Sequence, residues 1–348
     1  MSNSSSILYL HVGMHKTGTT FLQLTLARNR HRLLKHGVNY PKIQSSYRES
    51  GAHLSLVESI ELGNIDSATN LVSKSFKKAD RVLLSSERWT PSLRRFPDRF
   101  IQWFTDIQQR GHEIRVILYI RRQDLYALSN YRACVRNPLF DRSSLTYQEF
   151  IMQRARHFNY LNTLRLWQQV IGKENLYVRP FERTQWHSGD LLSDFLSLLN
   201  IKNTTSFSTL PTNTNRSFSA VVTELLRRTN RQRDAGQQQE LLKLLNKTLP
   251  DTILFDHSRG HPYMTPLEQK EFLGQYADSN RKIATEWLGR PDGRLFYDEI
   301  EVTTVRQVAD ISDQAVKDLH SLIMDRLGNA SRLNRYRVDD AIRLGLFQ

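Results

Sequence analysis

Near the N-terminus, His11-Val12-Gly13-Met14-His15-Lys16-Thr17-Gly18-Thr19-Thr20 brings together two glycines, three threonine hydroxyls, a lysine and two histidines. The apolar run Ile7-Leu8-Tyr9-Leu10 before it is a predicted strand, and Phe21 to Ala27 after it is a predicted helix. A glycine-rich turn between a strand and a helix suits a phosphate. The glycines let backbone N–H groups converge on the anion, and the helix start adds partial positive charge. Gly13 and Gly18 keep the glycine spacing of the nucleotide phosphate-binding loop, but Thr19 stands where that loop carries its lysine. The loop's one lysine, Lys16, lies before the second glycine. A tight turn with incidental small residues would give a similar string, so the reading depends on what surrounds it.

Other residues of chemical interest also follow predicted strands. Arg81 to Ser86 forms a short apolar strand ending at Glu87, and Ile114 to Ile120, the clearest strand in the chain, stops at Arg121-Arg122. Leu176 to Val178 stops at Arg179. A carboxylate such as Glu87 can take a proton from a hydroxyl if burial lifts its pKa towards the working pH. A salt bridge to Arg88 is the plainer role for it. His53, in the loop Gly51-Ala52-His53, is a rival base, and His11 and His15 flank the glycine turn. An arginine at a strand end offers forked, charge-assisted bonds to phosphate.

The displaced lysine makes the loop resemble the 5′-phosphosulfate-binding loop of the sulfotransferases, whose Pro-Lys-Ser-Gly-Thr-Thr pattern becomes His-Lys-Thr-Gly-Thr-Thr here. The resemblance is to a bacterial branch of that family. It continues through Leu84-Ser85-Ser86-Glu87, Val178 to Arg183 and Asp190 to Leu196, and less specifically through Tyr276 to Arg281 and Gly293 to Phe296. It implies a donor, 3′-phosphoadenosine 5′-phosphosulfate (PAPS), with 3′-phosphoadenosine 5′-phosphate (PAP) as product. It also implies roles: Lys16 relieves charge on the leaving phosphate, and His15, Lys16, Thr17, Gly18, Thr19 and Thr20 hold the 5′-phosphate. Family members hold the 3′-phosphate with a strand-end arginine and a serine on the next helix. Arg121 and Ser129 match that spacing, with Gln123 where many members have proline. Glu87 is the preferred base, because members acting on polysaccharide often use a glutamate; His53 is its rival. Ser279-Asn280-Arg281 would close over the 3′-phosphate. The implied acceptor is a hydroxyl of a carbohydrate or glycolipid, with no metal in the reaction.

Strands alternating with helices predict an α/β protein of three layers, a parallel sheet flanked by helices. The resemblance makes this the phosphate-loop sulfotransferase fold over residues 7–297, with a helical extension over 298–348. Such sheets bind ligands outside the C-terminal ends of their strands, where the residues above fall. Further helices are expected over Ser55 to Ser73 with a break at Gly63-Asn64, Phe96 to Gln109, Asp124 to Val135 and Tyr147 to Val170. Asn39-Tyr40-Pro41 is expected to turn. From Ser188 onward the pattern is largely helical. The five tryptophans (Trp89, Trp103, Trp167, Trp186, Trp287) fit core positions better than a base-stacking platform.

In a chain of 348 residues, 39% hydrophobic and 24% charged, a sizeable core can form. No apolar run reaches the roughly 20 residues a membrane helix needs, which leaves room only for peripheral membrane contact. Met1 to Ser6 lacks a basic n-region, so Ile7 to Leu10 is expected to be a core strand rather than a signal sequence. The single cysteine, Cys134, excludes an intrachain disulfide and fits the cytoplasm. A net charge of +14 attracts polyanions without choosing among them. The basic residues are scattered, and no nucleic-acid-binding signature accompanies them. Two other classes compete: a small-molecule kinase, disfavoured by the misplaced lysine, and a non-catalytic polyanion-binding protein.

Overall fold

A computed structural model of the chain describes residues 6–43, 51–137, 140, 142–209, 216–230, 235–256, 261–300 and 311–327. The chain divides into two compact units. The first takes residues 1–122, 159–211 and 277–298, and the second takes 123–158, 212–276 and 299–348. In the first unit lie β1 (Ser6–His11), α1 (Thr19–Arg28), α2 (Arg30–Lys35), β2 (Val38–Asn39), α3 (Leu54–Glu61), α4 (Ile65–Phe76), β3 (Arg81–Ser85), α5 (Trp89–Arg95), α6 (Pro97–Gln109) and β4 (His112–Ile120). After α7 (Gln123–Arg136) and α8 (Tyr147–Phe158) of the second unit, the chain returns with α9 (Tyr160–Ile171), β5 (Leu176–Pro180) and α10 (Leu191–Leu198). The second unit resumes with α11 (Ala220–Thr229), α12 (Ala235–Thr248), α13 (Asp251–Leu254) and α14 (Pro266–Gly274). Finally α15 (Ala277–Glu286) belongs to the first unit and α16 (Asp313–Leu327) to the second.

The five strands of the first unit form one all-parallel sheet in the order β2-β3-β1-β4-β5. Alternation sorts its side chains. Tyr9, Leu83, Ile117 and Tyr119 pack in one core with Leu22, Leu26, Leu33, Phe195 and Leu196, so α1, α2 and α10 cover that face. On the other side α4, α6 and α9 pack on β3, β4 and β5. There Trp89, Trp103, Phe104 and Trp167 are buried, with the Trp89 and Trp103 rings stacked 5.5 Å apart. Strands covered on both faces must be apolar throughout, which is why Leu8, Leu10, Val82, Leu84, Val116 and Leu118 are buried as fully as their neighbours. From β1 the chain crosses to β2 and β3 on one side, and from β3 it crosses back over β1 to β4. The crossovers therefore part company at β1, and the crevice at such a reversal is where parallel sheets bind ligands.

Two sequence expectations need correction. Asn39-Tyr40-Pro41 was expected to turn, but Val38 and Asn39 pair with Arg81 and Val82 as an edge strand. Two residues carry too little pattern to announce a strand; the pairing comes from the sheet. The helix expected over Tyr147 to Val170 breaks at Asn159, which takes an extended conformation (ψ 91°), where the chain passes between units.

The second unit is helical apart from an isolated antiparallel bridge, Phe218 to Phe255. Tyr131 and Tyr147 pack edge to face in it, and the Tyr263 ring stacks on Tyr147 at 5.0 Å. Cys134 is buried and forms no disulfide. Within this unit α16 packs against α11 and α12. The Arg228 guanidinium joins Glu224 of α11 to Asp313 of α16. Among the described residues no helix is long and apolar enough to cross a membrane.

Candidate functional site

His11, the last residue of β1, stands in register with Ser85 of β3 and Ile117 of β4. Pairing continues one step past both ends: Ser86 donates its N–H to the His11 carbonyl (3.1 Å), and Val12 donates to Ile117 (3.0 Å). The turn from Gly13 to Gly18 and the residue Glu87 are therefore carried side by side to one rim of the sheet.

Two glycines shape the turn. A Cβ on Gly13 would lie 2.8 Å from the Thr19 hydroxyl oxygen. Gly18 has φ +74°, and a Cβ there would lie 2.4 Å from Leu191. Lys16 also adopts a left-handed backbone, φ 67°, which costs a residue with a Cβ about 1–2 kcal/mol. Arg121 at the end of β4 supports that conformation by donating to the Lys16 carbonyl (3.2 Å), its guanidinium lying over the Phe181 ring. The start of α1 has no side-chain cap and no acidic residue in its first turn. Its leading N–H groups are thus available to an anion, in the field of the helix dipole.

The threonines are not equivalent. Thr17 and Thr19 are buried, and both hydroxyls donate to the Met14 carbonyl, at 2.7 and 3.3 Å. Both side chains are thus engaged within the turn. Thr20, Lys16 and His15 are exposed.

Glu87 does not pair with Arg88. Arg88 reaches away to Glu58 (2.9 Å) and Glu61 (2.7 Å) of α3, while Glu87 Oε2 accepts from His15 Nδ1 at 2.6 Å. Burial by itself would raise the Glu87 carboxyl. The hydrogen bond and charge of His15, with smaller contributions from Thr19 and His11, outweigh it and hold the group below the usual carboxylate value. The expectation of a raised pKa is reversed, because the sequence could not show a histidine from the next loop as its partner.

His53 is withdrawn as a base. It is 1% exposed, Nδ1 accepts from the Ser85 N–H (3.0 Å), and Nε2 donates to the Pro41 carbonyl (2.9 Å). Burial pushes its pKa down to about 4. The ring locks the segment before α3 to the end of β3, and the backbone N–H of His53 also donates to the Ser85 carbonyl (2.8 Å). His11 lies behind the turn, bonded through Nδ1 to the Ser85 hydroxyl (2.9 Å), and burial lowers it also to about 4. Its Nε2 is buried without a partner, and a Cβ on Gly13 would come within 3.2 Å of it.

At the strand ends on the other side of β1, Arg122 turns inward to the Asp298 carbonyl (2.5 Å), which leaves Arg121 as the arginine facing the turn. Arg179 is fully engaged: it forms a forked ion pair with Asp194, which is buried and also accepts from Tyr119 (2.6 Å) and the His187 N–H (2.9 Å). Ser129 lies on α7 of the second unit, whereas Arg121 belongs to the first. Ser279-Asn280-Arg281 is helical, in α15, with Arg281 paired to Asp278 one turn away. Among the described residues no group of three or more His, Cys, Asp or Glu side chains could hold a metal ion.

The fold and this rim define an α/β protein with a glycine turn at the reversal point of a parallel sheet, and a carboxylate–imidazole pair beside it. No family model matches the chain. The chain is 27% identical over 206 residues to an uncharacterized protein of Archaeoglobus fulgidus, a match covering 58% of this chain and 54% of that protein. The chain thus spans about half the length of that relative.

Proposed function

We propose that this protein is a PAPS-dependent sulfotransferase, moving a sulfuryl group to a hydroxyl of a carbohydrate or glycolipid. The observation that carries this reading is the turn itself. It has an uncapped helix start behind two sterically required glycines, Lys16 exposed within the turn rather than after it, and Glu87 at the same rim. The fit to the 5′ end of the donor rests on these open N–H groups and on the unpartnered Nε2 of His11 behind them. PAPS supplies an activated sulfuryl group whose leaving phosphate gains negative charge as the bond breaks. Lys16 and the N–H groups from Thr17 to Thr20 stabilise that charge, and fixed donors of this kind are worth most where charge grows. Arg121 adds a second cation against the turn. The Glu87–His15 pair provides a base within the same rim.

The acceptor class is supported by the family resemblance, by a glutamate at the rim and by the +14 charge, which favours acidic saccharides. The buried thiol of Cys134, outside any disulfide, supports a reducing, cytoplasmic setting. Titration of the chain with PAP and, separately, with ATP and magnesium tests the donor. The reading expects PAP to bind without magnesium. Preferential binding of magnesium–ATP would overturn it in favour of a kinase. Binding of neither nucleotide, with retention on heparin, would leave a polyanion-binding protein.

A further inference from the structure

Resting on the sulfotransferase reading, we propose that the proton acceptor is His15, acting through Nε2, and that Glu87 is its positioning residue rather than the base. The two side chains come from loops 72 positions apart, and the adjacent ends of β1 and β3 set them 2.6 Å from one another. An ionised carboxylate can only accept, so the hydrogen bond requires the proton to sit on His15 Nδ1. In the neutral ring Nε2 is then the lone-pair nitrogen. Among the described residues it has no protein partner, and the ring is about half exposed (53%) while the Glu87 side chain is 29% exposed. The ring is therefore open to an acceptor over part of its surface, while the facing carboxylate oxygen is already occupied. An imidazole oriented by a carboxylate is the usual arrangement when a hydroxyl must be deprotonated near neutral pH.

Other charges near the pair fit this assignment. Lys16 follows His15 directly and Arg121 reaches the Lys16 carbonyl, so two cations belong to the same turn. Glu87 offsets them and stabilises the imidazolium that forms on proton transfer. On the Glu87 side, Arg88 is committed to Glu58 and Glu61, and His11 lies buried behind the turn. In the transfer step the acceptor oxygen forms a bond to sulfur as the bond from sulfur to the phosphate oxygen breaks. The electron pair leaves on the phosphate, whose charge Lys16 meets, and the hydroxyl proton passes to His15 Nε2. The resemblance places a proline at position 15; here a histidine stands there, and the geometry gives it work.

The test pairs His15→Gln with Glu87→Gln and uses water as the acceptor, following release of labelled sulfate from PAPS against pH, with PAP affinity measured in parallel. Loss of a general base predicts a fall of about 10²-fold or more for His15→Gln, with PAP affinity within a few fold of wild type. Glu87→Gln should lose less, because the nitrogen that takes the proton is still present. The reverse pattern would overturn the proposal: His15→Gln active with its rate rising at higher pH, and Glu87→Gln inactive. A measurement independent of turnover uses ¹⁵N-histidine NMR of the PAP-bound chain at pH 7.5. The proposal expects His15 protonated on Nδ1 and bare on Nε2; the opposite tautomer would overturn it. Failure of the wild-type chain to bind PAP would sink the sulfotransferase reading and the proposal with it. Binding with an unaffected His15→Gln variant would sink the proposal alone.

Discussion

Two regions of the same sheet edge treat charged residues in opposite ways. Past β1 and β3, Lys16 and His15 are exposed, Glu87 accepts from His15, and the first N–H groups of α1 have no side-chain cap. Past β5, the buried carboxylates are closed by their neighbours. Asp194 takes four hydrogen bonds from Arg179, Tyr119 and the His187 N–H. Buried Glu182 accepts the N–H groups of Tyr297 (2.8 Å) and Asp298 (3.2 Å), fastening the last segment of the first unit to the rim. A charge at a strand end is thus no sign of chemistry by itself. What separates the two regions is whether a complementary group was built to satisfy it, and buried charges without such a group are costly.

Perturbing each region should break different properties. The largest effect is expected at the open end: Lys16→Ala should lower sulfate release from PAPS by about 10³-fold while leaving the urea midpoint almost unchanged. Equal loss of stability would place Lys16 with the closed groups instead. At the closed end, Arg179→Met strips the buried Asp194 of its cation and should cost roughly 3–5 kcal/mol in urea unfolding, with PAP affinity of the folded fraction preserved. A stable variant that fails to bind PAP would make Arg179 a site residue after all.

The buried histidines give a smaller, pH-dependent effect behind the open end. Both His11 and His53 have folded-state values of about 4 against an ordinary 6.5. As pH falls through 6.5 the unfolded chain takes up protons first, so stability present above that value drains away towards pH 4. The loss from pH 7.5 to 5 should be about 2 kcal/mol for each histidine, and His53→Gln should flatten the slope. A profile that His53→Gln leaves unaltered would remove that residue from the account. The smallest effect belongs to Arg88, whose pairs with Glu58 and Glu61 lie at the surface: Arg88→Ala should cost about 0.2–1 kcal/mol and leave turnover intact. Lost turnover would mean that Arg88 serves Glu87 despite pointing away from it.

Much of the first unit was legible in the sequence. The helix break at Gly63-Asn64 falls between α3 and α4, and the apolar runs at Ile7, Arg81, Ile114 and Leu176 all became strands of one parallel sheet. Period and turn residues are local signals, so they survive in the sequence. Less legible was the division of the chain. Residues 123–158 leave the first unit and 277–298 return to it, and neither passage is marked by a run of glycine, proline or serine. The edge strand at Val38 depends on its partner β3 and has no pattern of its own.

At the rim, residue types alone were enough to single out the glycine turn, Lys16 and Glu87, because each follows an apolar run that had to become a strand. Only the tertiary structure decided who touches whom. It turned Glu87 from Arg88 to His15, buried His53, closed Arg179 with Asp194, and chose Arg121 over Arg122 to face the turn. The physical reason is that strand order brings together loops far apart in sequence, here β1 beside β3. A side chain's charge state and freedom depend on those neighbours and not on its position along the chain.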